Sequence, residues 1–182
     1  MKKSKVTLIM AISLIVYSAG FGQSASAPPK PGPEHAKLGV LVGNWVTEGE
    51  SMKTSFGSPE KFSGKIVSEW MPGHFAIVRH VDGKWSVGGE VHSLEVITYD
   101  AGAKAYNWYS FDSKGTTLVG KTFIEGDTLT AIWEFAVNGK FYRVRGTLKG
   151  LGSDKLIWAQ EYSDDGKTWK AHYRSTDAKS KP

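Results

Sequence analysis

The chain of 182 residues contains no cysteine. This absence excludes disulfide bonds, a thiolate nucleophile, cysteine-based metal sites and the lipid attachment that anchors many exported bacterial proteins. An excess of charge of one sign is also missing, because 23 basic residues face 18 acidic ones for a formal charge of +5. Beyond residue 27, the longest basic cluster is the short tail 179–182. The composition therefore predicts no nucleic-acid partner.

Long apolar runs are scarce as well, with one exception near the first residue. A basic start at Lys2, Lys3 and Lys5 precedes an apolar run from Val6 to Tyr17, which is too short to span a bilayer comfortably. Small residues follow, so residues 1–27 are interpreted as a secretory signal peptide. Its loss removes three lysines and lowers the formal charge to about +2. We expect an exported protein, periplasmic or extracellular, with no stable membrane anchor after cleavage.

The remainder of the chain divides into three segments. Residues 28–42 open with four prolines in six positions and then favour a short helix or turn. Residues 43–176 form a single β-barrel domain, and residues 177–182 form a disordered tail.

Ten stretches of alternating apolar and polar residues, the pattern typical of strands, fill the barrel domain. Four pairs of turn-forming residues separate some of them and favour tight hairpins between consecutive strands: Asp82-Gly83, Gly126-Asp127, Asn138-Gly139 and Asp165-Gly166. The prediction is an all-β fold, a closed antiparallel up-and-down barrel of about ten strands like the lipocalins and fatty-acid-binding proteins. The predicted strands are 45–54, 61–70, 75–81, 91–99, 106–111, 117–125, 128–137, 140–149, 155–162 and 169–175.

Three tryptophans, Trp108, Trp133 and Trp158, lie 25 residues apart, which is two strand-and-turn units. In an up-and-down barrel they fall on alternate strands that run in the same direction. If the registers match, they form one aromatic layer, either inside the barrel or on one outer wall. The alternative is three separate core residues.

Three arginines, Arg79, Arg143 and Arg145, lie in the middle of predicted strands. An inward pair at 143 and 145 would bind a carboxylate head group through two parallel hydrogen bonds, as in a fatty-acid carrier. Alternatively, both face solvent. Together with the three tryptophans, Arg143 and Arg145 are the candidate ligand-binding residues.

Catalytic signatures are scarce. There is no Gly-x-Ser-x-Gly turn and no phosphate-binding loop, so no catalytic residue and no cofactor is predicted. Glu69 and Glu161 lie within predicted strands, and an inward carboxyl in an apolar pocket would have a raised pKa suited to general acid or base catalysis. The alternative is that both face outward.

Five segments, in order and at nearly constant spacing, resemble a lipocalin-like bacterial family classified as a domain of unknown function. The resemblance covers about residues 31–175 and implies a calycin-type barrel without transferable catalytic residues. The segments are Pro31-Gly32-Pro33-Glu34-His35 with Leu41-Val42-Gly43-Asn44-Trp45, Trp70-Met71-Pro72-Gly73-His74-Phe75, Thr98-Tyr99-Asp100, Asp112-Ser113-Lys114-Gly115 and Ser163-Asp164-Asp165-Gly166-Lys167-Thr168-Trp169.

This resemblance implies a structural role for Gly43 and Trp45, whose Gly-x-Trp element closes one end of lipocalin-type barrels. The glycine allows close backbone approach and the indole packs under the core, against an arginine that Arg174 or Arg145 could supply. Related haem-binding barrels use a histidine near the C-terminal strand, which makes His172 a weak haem candidate. By strand alternation His172 shares a face with Lys170 and Arg174, which favours exposure to solvent. No metal site is predicted.

Barrel periodicity, 12% aromatic residues and the family resemblance favour an exported barrel that binds a small apolar or amphipathic molecule. Two alternatives stay open: an enzyme acting on a cavity-bound substrate, and a structural or interaction barrel with a filled interior. The contents of the interior discriminate between them.

The leader assignment generates the first prediction. N-terminal sequencing of exported protein should find a first residue between Phe21 and Pro29, because signal peptidases cut beyond the apolar run. Exported material that begins at Met1 or Lys2 would contradict the assignment.

Overall fold

Residues 29–181 are described by a computed structural model of the protein, and they form a closed barrel. Every strand pairs antiparallel with its sequence neighbours, and the first strand closes the ring against the last. The prediction of a ten-stranded up-and-down barrel is confirmed, while the predicted signal peptide lies outside the described residues. No helix among residues 29–181 is long and apolar enough to span a membrane. The strands are β1 (Gly43–Ser51), β2 (Lys61–Trp70), β3 (Ala76–Trp85), β4 (Gly89–Asp100), β5 (Ala105–Asp112), β6 (Thr117–Glu125), β7 (Thr128–Val137), β8 (Lys140–Lys149), β9 (Lys155–Ser163) and β10 (Lys170–Lys179).

Three of the four predicted hairpin turns are present, with left-handed backbone at Gly126, at Asn138 and Gly139, and at Gly166. The fourth prediction is wrong. Asp82 and Gly83 lie inside β3, where Gly83 pairs with Gly64 of β2. The ring of Phe62 packs where a side chain on Gly83 would lie, so this glycine allows close packing rather than a turn.

The last strand extends beyond its predicted end. β10 continues to Lys179, so the barrel domain ends after residue 176 and part of the expected tail is paired with β1. Asp177, assigned to that tail, is 5% exposed. An acidic residue near a C-terminus is expected to be solvated, and the cross-barrel pairing that buries it is not visible in the sequence.

One end of the barrel is closed by the lead-in segment. Helix α1 (Pro33–Ala36) and a 3-10 helix (Lys37–Leu41) bury Leu38 and Leu41 against the core, in the segment for which a short helix or turn is expected. Tyr106 of β5 donates a 2.7 Å hydrogen bond to Glu34, and burial together with this contact raises the pKa of the tyrosine. Hydrogen bonds and apolar packing between the lead-in and the barrel wall close this end of the barrel.

Trp45 lies at the centre of the closed end and is 2% exposed. Its Nε1 donates to the Leu41 carbonyl at 3.1 Å, so the indole joins the 3-10 helix to β1. Gly43, with φ of +134°, adopts backbone that other residues rarely tolerate. The cation over the indole is Lys179, 5.5 Å from the ring centroid, and neither Arg174 nor Arg145 takes that place. Arg174 instead pairs with Glu50 on the outer wall.

Replacement of Trp45 by alanine should lower the free energy of unfolding by about 3 to 5 kcal/mol, because it removes a fully buried indole and opens a cavity. Chemical denaturation measures the difference. The matched control is Val46→Ala at the next, outward-facing position, which should stay within about 0.5 kcal/mol of the parent. If Trp45→Ala unfolds like the parent, the indole does not stabilise the closed end.

Candidate functional site

The other half of the barrel contains a partly open cavity of about 270 Å³, called here the interior cavity. It extends from the middle of the barrel toward the end where β3 and β5 finish at Trp85 and Asp112. Inward side chains of several strands border it because successive residues of a strand alternate between the two faces. A smaller cavity of about 100 Å³ lies beside it and shares Glu95, Trp108, Trp158 and Gln160 with it.

A buried ion pair borders the interior cavity. Arg79 of β3 and Glu95 of β4 occupy directly opposed positions, and Nη1 of the arginine lies 2.9 Å from Oε2 of the carboxylate. The arginine side chain is 7% exposed and the glutamate side chain 15%. Burial raises the pKa of Glu95 against the attraction of the guanidinium. Removing both charged groups from water costs free energy, and this cost offsets much of the Coulomb attraction between them. The stability of the pair therefore depends on its close hydrogen-bonded geometry.

A second carboxyl, Asp177 of β10, borders the same cavity. It lies opposite Thr47 of β1, and the Ser175 hydroxyl donates to Oδ1 at 3.4 Å. Burial raises the pKa of Asp177, opposed by a Thr47 hydrogen bond and by the charge of Arg79. Burial also raises the pKa of the neighbouring Tyr173 to about 12, so its phenol stays protonated.

The three regularly spaced tryptophans meet inside the barrel. Trp108 and Trp158 have ring centroids 5.4 Å apart, and Trp133 stacks on Trp158 at 6.3 Å with nearly parallel planes. The structure therefore places them in one inner layer and not as three separate core residues. Gly146 of β8 makes this possible, because a Cβ there would overlap the Trp158 ring.

The predicted arginines lie on the other face of the wall, which corrects the hypothesis of an inward carboxylate-binding pair. Arg143 is exposed, and Arg145 pairs with Glu161 at 2.5 Å on the outer surface. The guanidinium of Arg145 also lies 4.6 Å from the ring centroid of Trp169. The arginine that points inward is Arg79.

His172 does not face solvent, contrary to the prediction from strand alternation. A register shift between Ala171 and Tyr173 turns the histidine into the barrel. Its ring packs on Phe56, Phe135 and Tyr162, with the nearest centroid 5.4 Å away, and burial lowers its pKa. A planar cofactor beside His172 would have to displace Phe56, and the haem role stays a prediction. Among residues 29–181 no group of three or more potential ligands could hold a metal ion.

The inward carboxyls are therefore not those singled out from the sequence. Glu69 is exposed, and Glu161 is engaged on the outer surface by Arg145. The sequence does not mark Glu95 as an inward residue. Its outward neighbours Leu94 and Val96 are apolar, as are residues of the inner face of β4, so the alternation of apolar and polar residues is lost around this position.

Two buried donors at the cavity find no hydrogen-bond partner within residues 29–181. These are Nε of Arg79 and Nε1 of Trp108, and the guanidinium lies 5.8 Å from the indole centroid. Buried donors are normally satisfied, by protein groups, water or a bound molecule. Both atoms are buried within residues whose side chains border the cavity.

These features define a closed antiparallel β-barrel of ten strands with an internal cavity that is part apolar and part charged. The chain belongs to the family described as protein of unknown function (DUF1579), whose model matches residues 30–179. A search of curated proteins finds no match.

Solved structures share the fold at low sequence identity. Rv2717c from M. tuberculosis has a TM-score of 0.57 and 12% identity, covering 82% of this chain and 99% of that one. The S-type phycobiliprotein lyase CPES from Guillardia theta has a TM-score of 0.51 and 12% identity, covering 84% and 99%. A fluorescence-activating β-barrel designed de novo has a TM-score of 0.42 and 14% identity, covering 79% and 96%. At these identities the likeness to the first two structures is one of fold.

The buried state of Asp177 generates a pH-dependent prediction. Because its folded-state pKa is raised, the stability that the protonated carboxyl gives is complete below about pH 4 and is lost as the pH rises through the folded pKa. Asparagine cannot lose a proton, so the stability of Asp177→Asn relative to the parent should increase from about pH 4 to about pH 8. Urea unfolding at several pH values measures the difference.

Asp164→Asn is the control, and its stability relative to the parent should change with pH in the opposite direction. Hydrogen bonding to Lys140 lowers the pKa of Asp164, so the stability that its ionised form gives is lost as the pH falls. A stability difference between Asp177→Asn and the parent that does not change with pH would contradict the assignment of a raised pKa at this position.

Proposed function

We propose that the protein is exported and that its barrel binds a small amphipathic molecule in the interior cavity. The wall of this cavity is the observation that supports the proposal. It combines apolar side chains such as Phe62, Trp85 and Trp158 with the buried polar groups of Arg79 and Glu95. Apolar walls with a few placed polar groups are typical of small-molecule sites.

The size of the cavity indicates the size of the ligand. About 270 Å³ lies just below the range of roughly 300–1,000 Å³ common for ligand pockets. A molecule of one or two rings suits this space better than a long acyl chain. A fatty acid also loses its expected partners, because Arg143 and Arg145 lie outside and Arg79 is already paired with Glu95.

An enzyme acting in the same cavity is the second candidate. Glu95 and Asp177 both have raised pKa values at the cavity wall, as general acids often do. Buried ion pairs that only stabilise a fold show the same shifts, so binding is the function that the geometry supports best. The cavity also argues against a barrel with a completely filled interior.

Filling the cavity should abolish binding. We choose 1-naphthalenemethanol, a neutral two-ring probe, and expect a Kd on the order of micromolar because association costs offset much of the apolar burial. Ser93 borders the cavity, so Ser93→Phe should weaken the probe at least tenfold in isothermal titration calorimetry.

The matched control is Leu94→Phe, which adds a similar ring at the next position on the outer wall and should bind like the parent. Thermal unfolding of both variants establishes that they fold. Parent protein that shows no heat of binding, or Ser93→Phe that binds as tightly as the parent, would overturn the proposal for this cavity.

A further inference from the structure

We propose that the ligand of the interior cavity is an aromatic cation, a flat ring system that carries a protonated amine or a similar group. This inference rests on the proposed function and adds the charge of the ligand to it. It follows from which charged side chains border the cavity, and from how many of them are already paired.

The charges at the wall are predominantly negative. Among the described residues that border the cavity, Arg79 is the one basic side chain, while Glu95, Asp112 and Asp177 are acidic. Glu95 forms an ion pair with Arg79, with 2.9 Å between Nη1 and Oε2. Asp177 shares the charge of Arg79 with Glu95, and Asp112 has no cation among the described residues of the cavity wall. Three carboxyls therefore face one basic side chain, and an anionic ligand would meet like charge.

Asp112 is fixed at the end of β5, where its Oδ1 accepts backbone N–H groups of Lys114 and Thr116 at 2.9 Å each. Asp177 lies deeper, against β1, and is 5% exposed. The cavity thus has a carboxyl at its base and another toward its open end. A ligand cation can approach either one without displacing the pair of Arg79 and Glu95.

Aromatic surface accompanies these carboxyls. Trp85, Trp108 and Trp158 border the cavity, and cations bind favourably over indole faces. A flat aromatic ligand therefore meets both indole faces and carboxyls in the same cavity.

The affinity of the cavity for a cation should depend on pH, because carboxyls at the cavity wall bind protons. The charged and titratable groups that face Asp177 are Arg79 of β3, Glu95 of β4 and Tyr173 of β10, with Asp112 of β5 farther along the cavity. Because burial raises the pKa of both Glu95 and Asp177, raising the pH removes their protons and makes the cavity more negative. A cation should therefore bind more tightly as the pH rises through the raised pKa values of these carboxyls, as long as the amine of the ligand keeps its proton.

Three probes with one ring system test the charge: 1-naphthylmethylamine, 1-naphthalenemethanol and 1-naphthoate. In calorimetric titrations of the intact protein at about pH 7.5, where the amine is protonated and the acid ionised, we expect the amine to bind at least tenfold more tightly than the alcohol. The carboxylate should bind most weakly. Asp177→Asn should reduce the advantage of the amine over the alcohol at least threefold. Thermal unfolding of Asp177→Asn establishes that the variant folds.

Glu134→Gln is the matched control, since it removes a carboxylate from an exposed position on the outer wall and should leave the order of the probes unchanged. Equal affinity for all three probes, or tightest binding of the carboxylate, would overturn the assignment of a cation while leaving the proposed binding function intact. If none of the three probes binds, both the charge assignment and the proposed function are wrong.

Discussion

Closure of the ladder between β1 and β10 is the constraint on which the rest of the molecule depends. This pairing joins the two ends of the described chain and leaves no edge strand in the described barrel open to solvent or to another chain. It also places Thr47 opposite Asp177 and so buries a carboxyl that would otherwise be solvated. Because the same ladder carries Trp45 only two residues before Thr47, the closed end and the charged cavity are parts of one structural unit.

The interior separates two kinds of chemistry along the barrel axis. Near the lead-in helices the core is apolar and filled, with Trp45, Ile77 and Ile97 almost fully buried. Farther along, Arg79 and Glu95 replace such residues, and burial of their charges costs free energy that a well-packed apolar pair would save. A fold that retains such a costly pair at a cavity is organised around the polar surface that the pair provides.

The fold was predictable from the sequence because its local signals agree. Alternation and turn residues such as Asn138 and Gly139 indicate neighbouring antiparallel strands. The spacing of the tryptophans places them on alternate strands but leaves one shared layer and three separate core residues as alternatives. The inward charges were not predictable for a different reason. Leu94 and Val96 make the outer face of β4 as apolar as its inner face, so that alternation does not mark Glu95 as an inward residue.

Two other predictions, the exposed His172 and the turn at Asp82 and Gly83, are wrong for the same reason. Both positions are determined by contacts between strands. The shift between Ala171 and Tyr173 turns His172 inward, and one residue of slippage reverses the face that a side chain occupies. Asp82 and Gly83 carry the composition of a hairpin but continue a strand, since the packing of Phe62 across the sheet requires the glycine there. Both features depend on pairing and packing across the sheet, which a local pattern does not contain.

The position of Gly146 has a consequence for the thermodynamics of binding. The Trp158 ring lies against bare backbone at this glycine, so its place is set when the strands pair. Ordering a free indole at the moment of association would cost conformational entropy, and here that cost is met during folding. The wall of the cavity is therefore preorganised, and a ligand that contacts Trp158 should retain more of its interaction energy as affinity.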